Sequence, residues 1–213
     1  MEVTLVDHMG SDLSVVNAAR VSFAKVHKEF KDEADTKLIR YLAKHNHWSP
    51  FGHASLQFHI NAPVFVARQL VKHQVGLTWN EVSRRYVDME PEFYTPEIWR
   101  GVAENKKQGS SEEEININPR HDMVDDYQKV LSTAKWTYEE LLRKGVCPEQ
   151  ARMVLPQSMM TEWYWSGTLY AFARVCNLRC KDDAQKETQD VGWNIDKHAR
   201  ELFPSSWRAL RDE

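Results

Sequence analysis

The sequence predicts a single α+β domain in which an antiparallel or mixed sheet is flanked by helices. Residues 54–62 alternate strictly, with Ala54, Leu56, Phe58, Ile60 and Ala62 set against Ser55, Gln57, His59 and Asn61, the period-two pattern of a half-buried strand. Met123, Tyr127, Val130, Ala134, Tyr138 and Leu141 recur every three or four residues, which is the period of a helix. No internal repeat or composition break interrupts the 213 residues, and their 42% hydrophobic content suffices for one core, so residues 1–213 are read as one domain.

Each element has a local warrant. A first strand is expected over residues 3–7, then a helix beginning near Ser11, a residue suited to the N-cap. A second helix spans residues 32–45, with Leu38, Tyr41, Leu42 and His45 at helical spacing. After the strand at 54–62, Pro63 suits the first turn of a helix that ends near Gly76. On that helix Arg68, Gln69, Lys72 and His73 fall within an arc of roughly 140° opposite Val66, Ala67, Leu70 and Val71. Residues 78–86 read as a loop entering a short strand, and the polar stretch 104–118 as a surface loop. A long helix starts at Pro119 and is stopped by Gly145, and Pro148 opens another that Pro156 ends. Residues 159–165 form a strand, 167–178 a helix with Leu169, Phe172, Ala173 and Cys176 inward, and 184–202 a final helix.

Composition narrows the function. No apolar run approaches about 18 residues, and the amino terminus lacks the basic and long apolar regions of a signal peptide, so a soluble, cytoplasmic protein without membrane contact is expected. The three cysteines form no CxxC pair; Cys176 and Cys180 read as small buried hydrophobes, and Cys147 beside Pro148 has no activating base nearby and reads as structural. His45, His47, His53 and His59 cluster, but their spacing matches no zinc motif and no metal site is assigned. A nucleic-acid-binding module could use Arg84, Arg85, Tyr86 and Trp79, yet an isoelectric point near 6.3 with scattered acids is a poor electrostatic footprint for one.

The densest polar chemistry lies between Arg68 and Tyr86, where Arg68, Lys72, Arg84 and Arg85 outweigh Glu81 for a local net of +3 in a chain of net −3. Such a segment suits an anionic ligand, and Asn80, Glu81, Ser83 and Arg85 are candidates for orienting a small polar molecule. The competing reading is a solvated helix face with ordinary surface ion pairs.

This segment resembles the signature of the flavin-dependent thymidylate synthases: Arg-His-Arg, seven residues, then Ser, with Asn-Glu before the Ser and Arg-Tyr after it. Here it reads Lys72-His73-Gln74, eight residues, then Ser83, with Asn80-Glu81 and Arg85-Tyr86 in place. Further blocks resemble the family in the same order: Asp12 to Phe23, His47-Trp-Ser-Pro-Phe-Gly-His53, Ala62-Pro-Val-Phe-Val-Ala-Arg-Gln69, Ala151-Arg-Met-Val-Leu-Pro156 and Asn177-Leu-Arg179.

The resemblance implies reductive methylation of dUMP to dTMP, with methylenetetrahydrofolate as carbon donor and NADPH reducing bound FAD. It implies nucleotide binding by Gln69, Glu81, Ser83, Arg84, Arg85, Arg152 and Arg179, with Arg179 activating the uracil ring. It also implies flavin binding by Ser49, Lys72, His73, Gln74, Glu81, Arg174 and Asp183, and a catalytic position for His47 beside the flavin and folate. Lys72 keeps a charge but loses the arginine fork, Gln74 loses the charge, Arg174 stands where asparagine is common, and Asp183 where histidine is common. No Gly-x-Gly-x-x-Gly or P-loop is present, so a Rossmann-type NADPH site is not indicated, which fits a family that binds the nicotinamide cofactor without such a domain; the resemblance also implies active sites formed between subunits of a homotetramer. A noncatalytic flavin-binding protein is the remaining alternative, distinguished by bound flavin without turnover.

Overall fold

The computed structural model describes residues 1–87, 89–104, 109–115 and 123–211. Strand β1 (Glu2–Met9) leads through Ser11 into helix α1 (Asp12–Arg20). Helix α2 (Asp32–Lys44) follows, its first turn carrying Asp32, Glu33 and Asp35 where the helix dipole favours acids. Asp35 is fully buried and holds the α1–α2 connection: it accepts from Arg20 Nη2 at 3.0 Å, from the Lys31 amide at 2.8 Å, and pairs with His27 Nδ1 at 3.1 Å. The inward face of α2 is Asp35, Ile39 and Leu42, whereas Tyr41, aligned with that face by spacing alone, is exposed and packs its ring on His45 at 4.3 Å.

A 3-10 turn at Ser49–His53 delivers strand β2 (Ser55–Pro63), in which Leu56, Phe58, Ile60 and Ala62 are buried as the alternation predicts. Helix α3 (Val64–Leu70) has Pro63 at its N-cap position, just before the first turn, and is one turn shorter than its amphipathic arc suggests; Lys72 and His73 lie in the turn beyond it. Strand β3 (Leu77–Glu81) comes next, so the segment expected as a loop entering a strand is a strand leading into a turn. A hairpin of β4 (Arg100–Val102) and β5 (Ser110–Glu114) replaces the expected surface loop in its described part. Helix α4 (Met123–Arg143) buries Leu131 and Tyr138 while Val130 faces solvent; Pro119, its expected start, lies outside the described residues.

Helix α5 (Pro148–Ala151) ends in a 3-10 turn, Arg152–Val154, before strand β6 (Met160–Thr168). Gly167, expected to open the next helix, belongs to β6 instead. Helix α6 (Leu169–Arg179) buries Leu169, Phe172, Ala173 and Cys176 as anticipated. Helix α7 (Lys186–Leu202) closes the predicted set, and a further helix, α8 (Pro204–Leu210), follows it.

The main sheet has the order β1-β2-β6-β3 with every described pairing antiparallel. Trp79 on β3 lies opposite Trp165 on β6 and stacks on Trp163 at 4.4 Å. Trp163 and Trp165 are almost wholly buried, and each removes on the order of 200 Å² from water, about 5 kcal/mol of gross transfer energy. Against the same core pack α3, α6, α7 and α8, so the ends of α3 and α6 arrive side by side. Among the described residues no helix is long and apolar enough to cross a membrane.

Candidate functional site

The site begins at those helix ends. Thr168 caps α6 by accepting from the Ala171 amide at 3.2 Å, and Arg179 is the helix's last residue. On the other side, the turn after α3 folds back through His73 and reaches β3 by way of Gly76, whose φ of +76° favours glycine. Arg179 Nε donates to His73 Nε2 at 3.0 Å, and its Nη2 reaches the Gln69 carbonyl at 3.5 Å.

Accepting that bond requires a neutral imidazole. Burial, then the charges of Arg179 and Arg174, pull the His73 pKa down to about 4, so the ring is neutral at pH 7. Burial also draws Arg179 below the ordinary arginine value.

A cavity of about 450 Å³ opens beside this pair, lined by Gln69, Arg100, Gly109, Ser110, Arg179, Asp183, Ala184 and Gln185. Its wall is a continuous polar chain. The Gln69 carboxamide donates to Gln185 Oε1; Gln185 Nε2 donates to Glu187 Oε2 at 3.0 Å; and Glu187 Oε1 takes Arg100 Nη2 at 2.6 Å. Arg100, which this ion pair ties to α7, donates in turn through Nε to Ser110 Oγ at 2.8 Å, a bond between the two strands of the β4–β5 hairpin. Arg100, Ser110, Gln185 and Glu187 escaped the sequence reading; none belongs to a motif, and only folding brings them together.

A second group gathers where β3 ends. Glu81 accepts from Thr161 Oγ1 at 2.8 Å and from Trp79 Nε1 at 3.2 Å. In the following turn Ser83 Oγ accepts from Arg85 Nε at 3.3 Å, while the Arg85 guanidinium lies 5.0 Å from the centre of the Tyr86 ring. Arg84 donates to the carbonyls of Met89 and Glu90 and lines a different depression, of about 370 Å³.

Other expected site residues stand apart. His47 and Ser49 are exposed after α2, with the His47 ring 6.0 Å from Tyr41, and Arg152 is exposed at the head of its 3-10 turn. Lys72 and Gln74 flank the half-buried His73 and are both exposed, and Arg174 is exposed on α6 within electrostatic reach of it. Neither Arg85 nor Arg152 lines the Arg179 cavity within one chain. Cys147 is a free thiol near the start of α5, and Cys176 and Cys180 are buried.

The donor set near His73 suits a dinucleotide cofactor. Lys72 and Arg174 give two accessible cations for a diphosphate, and Gln74 supplies a neutral donor. Asp183, at the cavity edge, is an acceptor only and fits a hydroxyl rather than a phosphate.

Comparison with known proteins converges on one family. The family model described as thymidylate synthase complementing protein matches residues 4–205. The chain is 38% identical over 210 residues to a flavin-dependent thymidylate synthase of Thermus thermophilus, covering 99% of this chain and 75% of that protein. It is 39% identical over 209 residues to one of Thermotoga neapolitana, covering 98% and 89% respectively. Among solved structures, the UMP/dUMP methylase PolB of Streptomyces cacaoi bound with 5-Br dUMP superposes with a TM-score of 0.87 at 31% identity, over 99% of this chain and 94% of that one.

Proposed function

The chain belongs to the flavin-dependent thymidylate synthase family, and from that premise we propose that it methylates dUMP at C5 to give dTMP in the cytoplasm. One carbon comes from methylenetetrahydrofolate, which leaves as tetrahydrofolate, and one NADPH with one proton is consumed. FAD, when bound, supplies the hydride that completes the methyl group. Relatives named for flavin-dependent thymidylate synthesis and a structural neighbour holding a dUMP analogue support this assignment.

One observation carries the residue roles: the Arg179 guanidinium is clamped by a neutral His73 at the mouth of a polar cavity. Hydride addition to uracil builds negative charge on its carbonyl oxygens, and a fixed, partly desolvated guanidinium stabilises that charge. Gln69 contributes the carboxamide beside it. Lys72, His73, Gln74, Arg174, Ser49, Glu81 and Asp183 would hold FAD, and His47 would stand beside flavin and folate.

Glu81, Ser83, Arg84, Arg85 and Arg152 complete the nucleotide site by binding phosphate and ribose. Arg85 and Arg152 lie outside the Arg179 cavity of their own chain, which supports a site completed between subunits of the homotetramer that the resemblance implies. The test is dTMP formation from dUMP, methylenetetrahydrofolate, NADPH and FAD, with each omitted in turn. Turnover that requires all four supports the reading; retained flavin without dTMP under saturating conditions supports the noncatalytic flavoprotein instead.

A further inference from the structure

We propose that Glu187 is a positioning residue that sets the base preference of the nucleotide site, by fixing through Gln185 which end of the Gln69 carboxamide faces the cavity. This rests on the assignment of Gln69 and Arg179 to the nucleotide.

Glu187 stands in the first turn of α7 and is 4% exposed. Among the described residues, every side chain bonded to its carboxylate is a donor: Arg100 Nη2 at 2.6 Å, Gln185 Nε2 at 3.0 Å and Tyr94 OH at 3.4 Å. Tyr94 remains a donor because burial and the neighbouring carboxylate raise its pKa to about 12. For Glu187 itself, burial pushes the pKa up, but Arg100, the backbone and Gln185 more than offset this and keep the carboxyl ionised. An ionised carboxylate accepts and cannot donate.

That single property propagates. Gln185 must turn its NH₂ toward Glu187, which leaves its oxygen toward Gln69. Gln69 must then turn its NH₂ toward Gln185, which leaves Oε1 as the free end at the cavity, where no donor among the described residues reaches it. Beside that acceptor lies the Arg179 donor, whose Nη2 approaches the backbone carbonyl of the same glutamine. An acceptor next to a donor matches the N3–H and adjacent carbonyl of uracil. Cytosine in the same pose presents an N3 lone pair to Gln69 Oε1, acceptor against acceptor. Without Glu187 the two carboxamides can flip together, and the site loses this distinction.

The experiment measures dUMP and dCMP affinities by calorimetry on the FAD-loaded protein and on two variants. Glu187→Gln can donate as well as accept, so the chain loses its fixed direction. Gln185→Met keeps the Glu187–Arg100 pair but removes the link, which separates base choice from folding. The dUMP-over-dCMP preference is expected to fall about 10-fold or more in each, with dUMP weakened and dCMP not weakened in parallel. A purely structural Glu187 would weaken both nucleotides equally or only lower the melting temperature. An unchanged preference in either folded variant overturns the proposal alone, whereas a parent protein that binds neither nucleotide overturns the functional assignment with it.

Discussion

At the scale of single residues, His73 shows how much of the site rests on protonation. Its imidazole takes a proton near pH 6.5 when unfolded but only near 4 in the folded chain, chiefly because it is buried. The unfolded state therefore binds more protons between those values. The stability tied to a neutral His73 is complete above about pH 6.5 and drains away as the pH falls to 4. Thermal unfolding followed from pH 7 to pH 4 should show this decline, and His73→Gln, which cannot titrate, should flatten it. An equally steep decline in the variant would place the sensitivity elsewhere. The imidazole was visible in the sequence as part of a signature, but its neutral state was not, because burial and the approach of Arg179 arise only in the fold. Glu187 and Gln185 were invisible for the same reason: their meaning is a chain of contacts crossing 116 residues between Gln185 and Gln69.

At the scale of elements, local patterns were legible wherever one face meets the core. The alternation of Leu56, Phe58, Ile60 and Ala62 and the inward set of α6 match the burial found. Boundaries failed where a distant partner decided them. The arc on α3 continued in sequence past Leu70 because turn residues happened to keep the helical period. β3 is a strand because it pairs with β6, and the tryptophans that join them are far apart in the chain. Helix α8 was missed after Pro204 because its cap is remote: Asp12 of α1 accepts from the amides of Ser205 and Ser206, each at 2.8 Å. Asp12→Ala leaves those two amides without that acceptor and should cost about 1–3 kcal/mol, read by denaturant unfolding. Gly167 is a second element-scale position. A Cβ there would lie 2.4 Å from Leu77 Cδ2 and 2.5 Å from the Gly76 carbonyl, so Gly167→Val should destabilise by about 1–3 kcal/mol or displace β3. A variant as stable as the parent would mean that β3 yields freely.

At the scale of the whole molecule, the separation of Arg85 and Arg152 from the Arg179 cavity is the principal fact. A homotetramer of 24.9 kDa chains would sediment at about 100 kDa, and a fully active monomer would contradict shared sites. Arg85→Ala and Arg179→Ala should each be nearly inactive. Co-expressed in one oligomer they should regain activity at about a quarter of the sites, if each site draws one arginine from either chain. This assembly is an implication of the sequence resemblance; periodicity and composition offer no route to it. The most direct measurement of the central claim is calorimetric titration of dUMP into the FAD-loaded parent and Arg179→Ala proteins at neutral pH. The parent should bind, and the variant should bind about 10-fold or more weakly, the loss of a charge-assisted contact. Equal affinities in two equally folded proteins would contradict it.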